Sequence, residues 1–95
     1  MSAFVYLLRC ADGSLYCGWT TDPERRLRQH QAGTASRYTK RRRPVEYALL
    51  MPAADRSAAL REEWRIKQLP RREKLALIRA RMRMTADDKQ RRQPI

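Results

Sequence analysis

Four residues, Ala11-Asp12-Gly13-Ser14, separate two β-type runs, "FVYLLRC" at 4–10 and "LYCGWT" at 15–20. A connection that short makes the pair a hairpin. Ala11-Asp12-Gly13 suits a type I turn followed by a glycine bulge, with Gly13 in the left-handed conformation. That turn sets Cys10 opposite Ser14, Leu8 opposite Tyr16 and Tyr6 opposite Gly18. Tyr6 and Tyr16 then share one face, and Gly18 leaves open space beside the Tyr6 ring. A strict two-residue Asp-Gly turn would instead send the two phenols to opposite faces. The favoured register puts Cys10 and Cys17 on opposite faces, which argues against a disulfide; both read as small strand residues.

Downstream, Asp22 is a good N-cap, Pro23 fits the first helical position, Glu24 suits the positive end and Gly33 closes the helix. Residues 33–44, "GTASRYTKRRRP", read as a basic loop, and "VEYALLM" as a third strand. Asp55 caps a second helix running to about Leu69. Pro70 breaks it and opens a third, with Leu75, Ile78 and Met82 as its apolar stripe. From about Arg83 the chain is polar and expected to fray, with room for one helical turn in "TADDKQ". The expected fold is α/β: a small ββαβαα domain over residues 1–82, with a three-stranded, mainly antiparallel sheet flanked by helices, and a polar basic tail over 83–95.

Ninety-five residues are enough for one core. Twenty-two Lys and Arg against ten Asp and Glu leave a net charge of +12. Self-repulsion of that size destabilises a compact state, and a polyanionic partner offsets it. Nucleic acid fits best; an anionic membrane surface or a ribosomal particle is a weaker version of the same inference. No segment could span a bilayer, and the N-terminus lacks the features of a signal peptide. Two cysteines and one histidine cannot close a zinc site. The expectation is a soluble protein of a reducing compartment, the cytoplasm.

The second helix holds an anomaly. At ~100° per residue from Ala59, the residues Ile66, Leu60 and Trp64 span an apolar arc, with Arg61, Arg65 and Gln68 opposite. Glu63 falls inside that arc, while Glu62 at its edge reaches water. A carboxylate aimed at the core side is costly unless paired, protonated or bound to metal. An ion pair with Lys67 at i+4, or with an arginine of the first helix, is one solution; a divalent cation, which takes carboxylate oxygen, is the other. In the first helix Arg26 and His30 are four apart and share a face. Two tyrosines, an arginine, a histidine and a glutamate make a list suited to phosphodiester chemistry. Arg would stabilise phosphorane charge, a metal would polarise the phosphate, and Tyr or His would handle the proton.

Val5-Tyr6-Leu7, followed at the usual spacing by Tyr16-Cys17-Gly18, resembles the paired motifs of the GIY-YIG nuclease superfamily. The similarity continues through Thr20, through Arg26 ten residues after Tyr16, and through "RRLRQHQAG", "ASRYTKRRRPVEY" and "REEWRIKQLPRREKLALI". It covers residues 4–79 and closely resembles the small single-domain bacterial subgroup related to YhbQ (UPF0213-like). The resemblance implies a metal-dependent endonuclease core acting on DNA, with branched, flapped or single-stranded substrates in repair or recombination. Tyr6 would be the general base or water-positioning phenol, and Tyr16 its hydrogen-bonded partner. Arg26 would contact the scissile phosphate, His30 would assist proton transfer, and Glu63 would hold one Mg²⁺ or Mn²⁺ ion. Gly18 is the structural glycine of the motif. Tyr38 and Lys40 belong to the basic substrate-facing loop, with Arg37, Arg41, Arg42 and Arg43; Arg25 and Arg28 extend that surface along the first helix. An ordinary tyrosine, with pKa ~10, is a poor base at neutral pH, so Arg26 and the metal would have to favour the phenolate. Three positions depart from the family pattern: Phe4 stands for the first glycine, Trp19 where some relatives carry lysine, and Leu75 where several carry asparagine. The alternatives are a non-catalytic nucleic-acid-binding domain and a basic module that docks on a larger assembly.

Overall fold

The computed structural model describes the backbone of residues 2–92 and the side chains of residues 2–82. Strands β1 (Ala3–Cys10), β2 (Leu15–Thr20) and β3 (Val45–Ala53) form one antiparallel sheet in the order β2-β1-β3. The first hairpin follows from its turn. Gly13 adopts φ +84° and its N–H donates to the Cys10 carbonyl at 2.9 Å, while the Cys10 N–H donates to the Ser14 carbonyl at 2.9 Å. Asp12 Oδ1 accepts from the Ser14 N–H at 2.9 Å, an Asx-type contact that stiffens the corner. The expected register results: Leu8 faces Tyr16, and Tyr6 faces Gly18.

The pairing of β1 with β3 slips between Leu7 and Leu8, where Leu7 faces Leu49 but Leu8 faces Tyr47. Ala48 is the extra residue, and a bulge resets the alternation of faces. Val45 and Tyr47 therefore join Tyr6, Leu8, Cys10, Tyr16 and Leu27 on one side of the sheet. Leu49 and Met51 join Val5, Leu7 and Cys17 on the other, packed by Ala59, Ile66 and Ile78. Cys10 and Cys17 are free thiols on opposite faces, as the register requires.

Helix α1 (Pro23–Ala32) covers the Tyr6 face, and its ends are set by local chemistry. The Asp22 carboxylate accepts from the Arg25 N–H at 3.1 Å. Gly33, at φ +80°, donates its N–H to the His30 carbonyl at 3.1 Å, and the Thr34 N–H reaches the Gln29 carbonyl at 3.0 Å, a Schellman closure. Gln31 then docks the helix to the sheet. Its side-chain Oε1 accepts from the Val45 N–H at 3.1 Å, and its Nε2 donates to the Val45 carbonyl.

Three expectations need correction. The basic segment 33–44 is not simply a loop: it contains a short helix, α2 (Arg37–Lys40), capped by the Ser36 hydroxyl, and it ends in a cis Arg43–Pro44 bond. Helix α3 (Arg56–Gln68), capped by Asp55, buries Ala59 and Ile66, but Leu60 and Trp64 point outward at 41% and 68% exposure. The core-facing arc is thus narrower than the apolar residues suggest. Helix α4 (Arg71–Arg92) buries Ile78 and packs Leu75 against the core, while Met82 is exposed. Its backbone runs on to Arg92 rather than ending near Arg83, so "TADDKQ" lies within a longer helix. Of the expected tail, residues 93–95 lie outside the described backbone, and the side chains from 83 on are not described.

Candidate active site

β1 and β2 present Tyr6 and Tyr16 on the face that α1 covers, and α2 lies against α1. The Tyr6 ring crosses the β2 backbone at Gly18, where a Cβ would stand 2.4 Å from the phenol oxygen and 2.6 Å from its ring carbon. Only glycine leaves that path open. Tyr6 is 3% exposed and His30 is 1% exposed, and the Tyr6 hydroxyl lies 2.8 Å from His30 Nε2. The other imidazole nitrogen, Nδ1, lies 2.8 Å from the hydroxyl of the fully buried Thr39. Thr39 is held in turn by the α2 cap: its hydroxyl is 2.8 Å from Ser36 Oγ, and its N–H donates to that same oxygen at 3.1 Å.

Aromatic rings wall this chain of hydrogen bonds. Tyr47 meets Tyr6 edge-on at 5.3 Å between centroids, and its hydroxyl donates to the Pro23 carbonyl at 2.7 Å. Tyr16 meets His30 edge-on at 5.4 Å and stacks on Tyr38 at 5.8 Å with an interplanar angle of 27°. Arg42 lies over Tyr38, 3.8 Å from the ring centroid, and is held there by Asp12 Oδ2 at 3.0 Å and by the Tyr38 carbonyl at 2.9 Å. Tyr16 is therefore a neighbour of His30 and not the hydrogen-bonded partner of Tyr6; His30 takes that place.

The electrostatics follow from burial. Loss of water around Tyr6 pushes its phenol far above the ordinary tyrosine value; the nearby Tyr16 adds to this and Arg26 opposes it. Burial, assisted by the Arg26 charge, lowers His30 to about 4, so the imidazole is neutral at physiological pH. The resting site therefore keeps its proton on Tyr6. Arg26 sits where its charge acts on Tyr6, His30 and Tyr47 together. Its Nε is buried without a hydrogen-bond partner among the described residues, and the side chain lines a cavity of about 270 Å³ with Thr20, Thr21, Asp22, Arg25 and Gln29.

Glu63 approaches from α3. Its backbone carbonyl accepts a long contact from Cys17 Sγ at 3.8 Å, which seats this turn of the helix against β2. Its carboxylate, 17% exposed, is 3.7 Å from the half-exposed Lys67 ammonium, one of the two solutions that the sequence left open. Its charge is felt at the Tyr6 phenol and, after burial, contributes to pushing the Cys17 thiol up to about 11. Among the described residues no group of three or more His, Cys, Asp or Glu side chains is gathered to hold a metal. A single carboxylate does fit Mg²⁺, which keeps most of its waters and takes one or two protein carboxylates together with substrate phosphate.

The basic residues separate into two kinds. Arg37, Lys40 and Arg41 are exposed and line a cavity of about 400 Å³ with Arg43, and Arg25 and Arg28 are exposed along α1. Arg42 and the exposed Arg43 also spend donors within the chain: Arg43 donates to the carbonyls of Lys40 at 3.0 Å and Gln31 at 3.1 Å and lies against Gly33. Thr39, Ser36 and Tyr47 are the site residues that the sequence did not single out. The Ser36-x-x-Thr39 spacing, a hydroxyl cap three residues before a second hydroxyl, is the available signal.

The GIY-YIG catalytic domain family matches residues 2–76 of this chain. A UPF0213 protein of Oceanobacillus iheyensis is 49% identical over 75 residues, 79% of this chain and 87% of the relative. The UPF0213 protein YhbQ of Escherichia coli is 47% identical over 75 residues, 79% of this chain and 75% of the relative. The solution structure of the UPF0213 protein BH0048 from Bacillus halodurans superposes with a TM-score of 0.56 at 38% identity, covering 84% of this chain and 85% of the other.

Proposed function

This chain belongs to the GIY-YIG family, and from that membership we propose that it is a divalent-metal-dependent endonuclease hydrolysing DNA phosphodiester bonds, with structured or single-stranded DNA in repair or recombination as its substrate. The observation that carries the reading is the buried Tyr6–His30–Thr39 hydrogen-bond chain beside an arginine whose Nε has no partner among the described residues. A proton acceptor chain and an adjacent orphaned cationic donor are what attack on a phosphate anion requires.

In this mechanism Tyr6 receives a proton from the attacking water as its own proton passes to His30 Nε2. Passing the proton on to His30 avoids a free phenolate; burial and the Arg26 charge disfavour the imidazolium that forms, so the relay depends on the negative charge building on the phosphate to offset it. The water oxygen forms a new bond to phosphorus, the bond to the leaving sugar oxygen breaks, and solvent protonates that oxygen. Arg26, whose side chain lines the cavity beside the relay, would set its guanidinium charge against the charge that builds on the phosphate. Glu63 would hold Mg²⁺ or Mn²⁺, which when bound polarises the phosphate as a Lewis acid. Arg37, Lys40 and Arg41, with Arg25 and Arg28, carry the flanking backbone phosphates. No helix among the described residues is long and apolar enough to cross a membrane, and a cytoplasmic site of action suits a DNA substrate.

The test is cleavage of a panel of end-labelled duplex, forked, flapped and single-stranded DNA with Mg²⁺ or Mn²⁺, run beside Glu63→Gln. Metal-dependent cuts that vanish in the variant support the reading. Tight binding of the panel with no cleavage under either metal would favour the second reading, a binding domain in which the Glu63–Lys67 pair has become structural.

A further inference from the structure

The hydrogen bonds around His30 admit two arrangements, and they differ in which way a proton can travel. In the first, the Tyr6 O–H donates to Nε2, Nδ1–H donates to the Thr39 hydroxyl, and Thr39 donates onward to Ser36. In the second, Nε2–H donates to Tyr6 and Thr39 donates to Nδ1. In the resting site the second leaves the Tyr6 proton without a partner among the described residues: the phenol is 3% exposed, and the group it meets is His30. Leaving such a donor unsatisfied carries the full desolvation penalty of the group. The first satisfies every group. Ser36 offers the Thr39 proton its Oγ at 2.8 Å and its carbonyl at 3.5 Å, so the Thr39 lone pairs are free to face Nδ1.

We propose that Thr39 is a positioning residue that holds His30 as the Nδ1–H tautomer, so that Nε2 is kept as the acceptor for the Tyr6 proton. Thr39 itself touches no reacting atom in this scheme. It acts through the imidazole, and Ser36 acts through Thr39. In the opposite tautomer Tyr6 would accept from His30 and point its own proton at the incoming water, which it could then only hydrogen-bond and not deprotonate. The direction of the relay is thus decided at the N-terminal cap of α2, a helix of four residues. The cap and the relay share one residue, Thr39, because Ser36 must cap the helix for the Thr39 hydroxyl to be aimed at His30. The catalytic consequence rests on the nuclease reading; the tautomer does not.

That division shapes the test. The chain has a single histidine, so a long-range ¹H–¹⁵N correlation spectrum of the labelled protein reports one imidazole without ambiguity. Near neutral pH the wild type should show a protonated, pyrrole-type Nδ1 and an unprotonated, pyridine-type Nε2. Thr39→Val keeps the shape and removes the acceptor. It should shift the ring toward the Nε2–H form and lower cleavage about 10–100-fold, the usual range for loss of a residue orienting a functional histidine, with DNA affinity unchanged. Thr39→Ser should restore both the tautomer and the rate. A wild-type ring protonated at Nε2 overturns the proposal without recourse to any variant, which covers the case in which Thr39→Val does not fold. Thr39→Val that retains Nδ1–H and full cleavage overturns it as well. A wild type that holds Nδ1–H but cuts none of the DNA panel supports the tautomer assignment and sinks the nuclease reading.

Discussion

A side chain on Gly18 would put its Cβ 2.4 Å from the Tyr6 hydroxyl oxygen, so the second strand is bare where the first strand's phenol crosses it. The phenol cannot swing aside cheaply, because it is buried and anchored to His30 at 2.8 Å. Gly18→Ala should therefore displace Tyr6, break its bond to His30 and destabilise the fold by about 1–3 kcal/mol, as overpacking of a filled site does. Urea unfolding measures the loss, and the His30 ring signals should move with it. An alanine variant with wild-type stability and an unmoved imidazole would contradict the packing described.

Arg26→Ala should reduce cleavage on the order of 10²–10³-fold, the effect of removing one preorganised donor from developing charge. Affinity should change far less, since Arg25, Arg28, Arg37, Lys40 and Arg41 still meet the backbone. Single-turnover rates set against filter-binding constants separate the two. Equal losses in both would recast Arg26 as a binding residue.

Glu63→Gln tests the carboxylate in a second way. Its partner Lys67 is half exposed and 3.7 Å away, so the ion pair contributes at most ~1 kcal/mol. Metal-free thermal melts of variant and wild type should nearly coincide while cleavage disappears. A large fall in melting temperature with cleavage retained in the folded fraction would end the assignment of Glu63 as a metal ligand.

Salt dependence should identify the DNA track. If about five phosphates are neutralised, log K falls with log salt at a slope of roughly −4.5 on duplex. Replacing Arg37, Lys40 and Arg41 by alanine should flatten the slope by about 2.7, at roughly 0.9 for each phosphate left without its cation. Arg42→Ala should act on the site itself, because that guanidinium props Tyr38 against Tyr16. An unchanged slope in the triple variant rules out α2 as the DNA-facing surface.

His30 should also leave a mark on stability. Its pKa is lowered from 6.5 to about 4 in the folded protein, so between these values the unfolded chain binds the extra proton. Unfolding free energy must then rise with pH across that window and fall on acidification from about 6.5 toward 4. His30→Gln should lose that component. Comparing the pH dependence of denaturant midpoints for the two proteins isolates it from the carboxylates, which titrate in both.

The hairpin and its consequences are readable from residues because the determinants are adjacent: Asp12-Gly13 selects the turn, and the turn sets which phenols share a face. The caps at Asp22, Gly33 and Asp55 are local in the same sense. Helix α2 is not readable, since four residues carry no periodicity and Arg37, Lys40 and the three arginines that follow suggest a solvated loop. The outward turn of Trp64 is hidden because it lies ~140° from Ala59 on the helical wheel, beyond the stripe that the sheet covers. The exchange of Tyr16 for His30 as the partner of Tyr6 depends on how α1 settles on the sheet, a contact spanning 24 residues.

Gln31 has a consequence of another kind. β3 is an outer strand, and such strands display unpaired amides and carbonyls that a foreign chain can extend into a ladder. At Val45 both groups are already occupied by the Gln31 carboxamide, which stands in for a neighbouring strand. Toward the other end Pro52 has no amide hydrogen to offer. The sheet is stoppered near both ends of that margin, which shortens the run of backbone that an added strand could pair with.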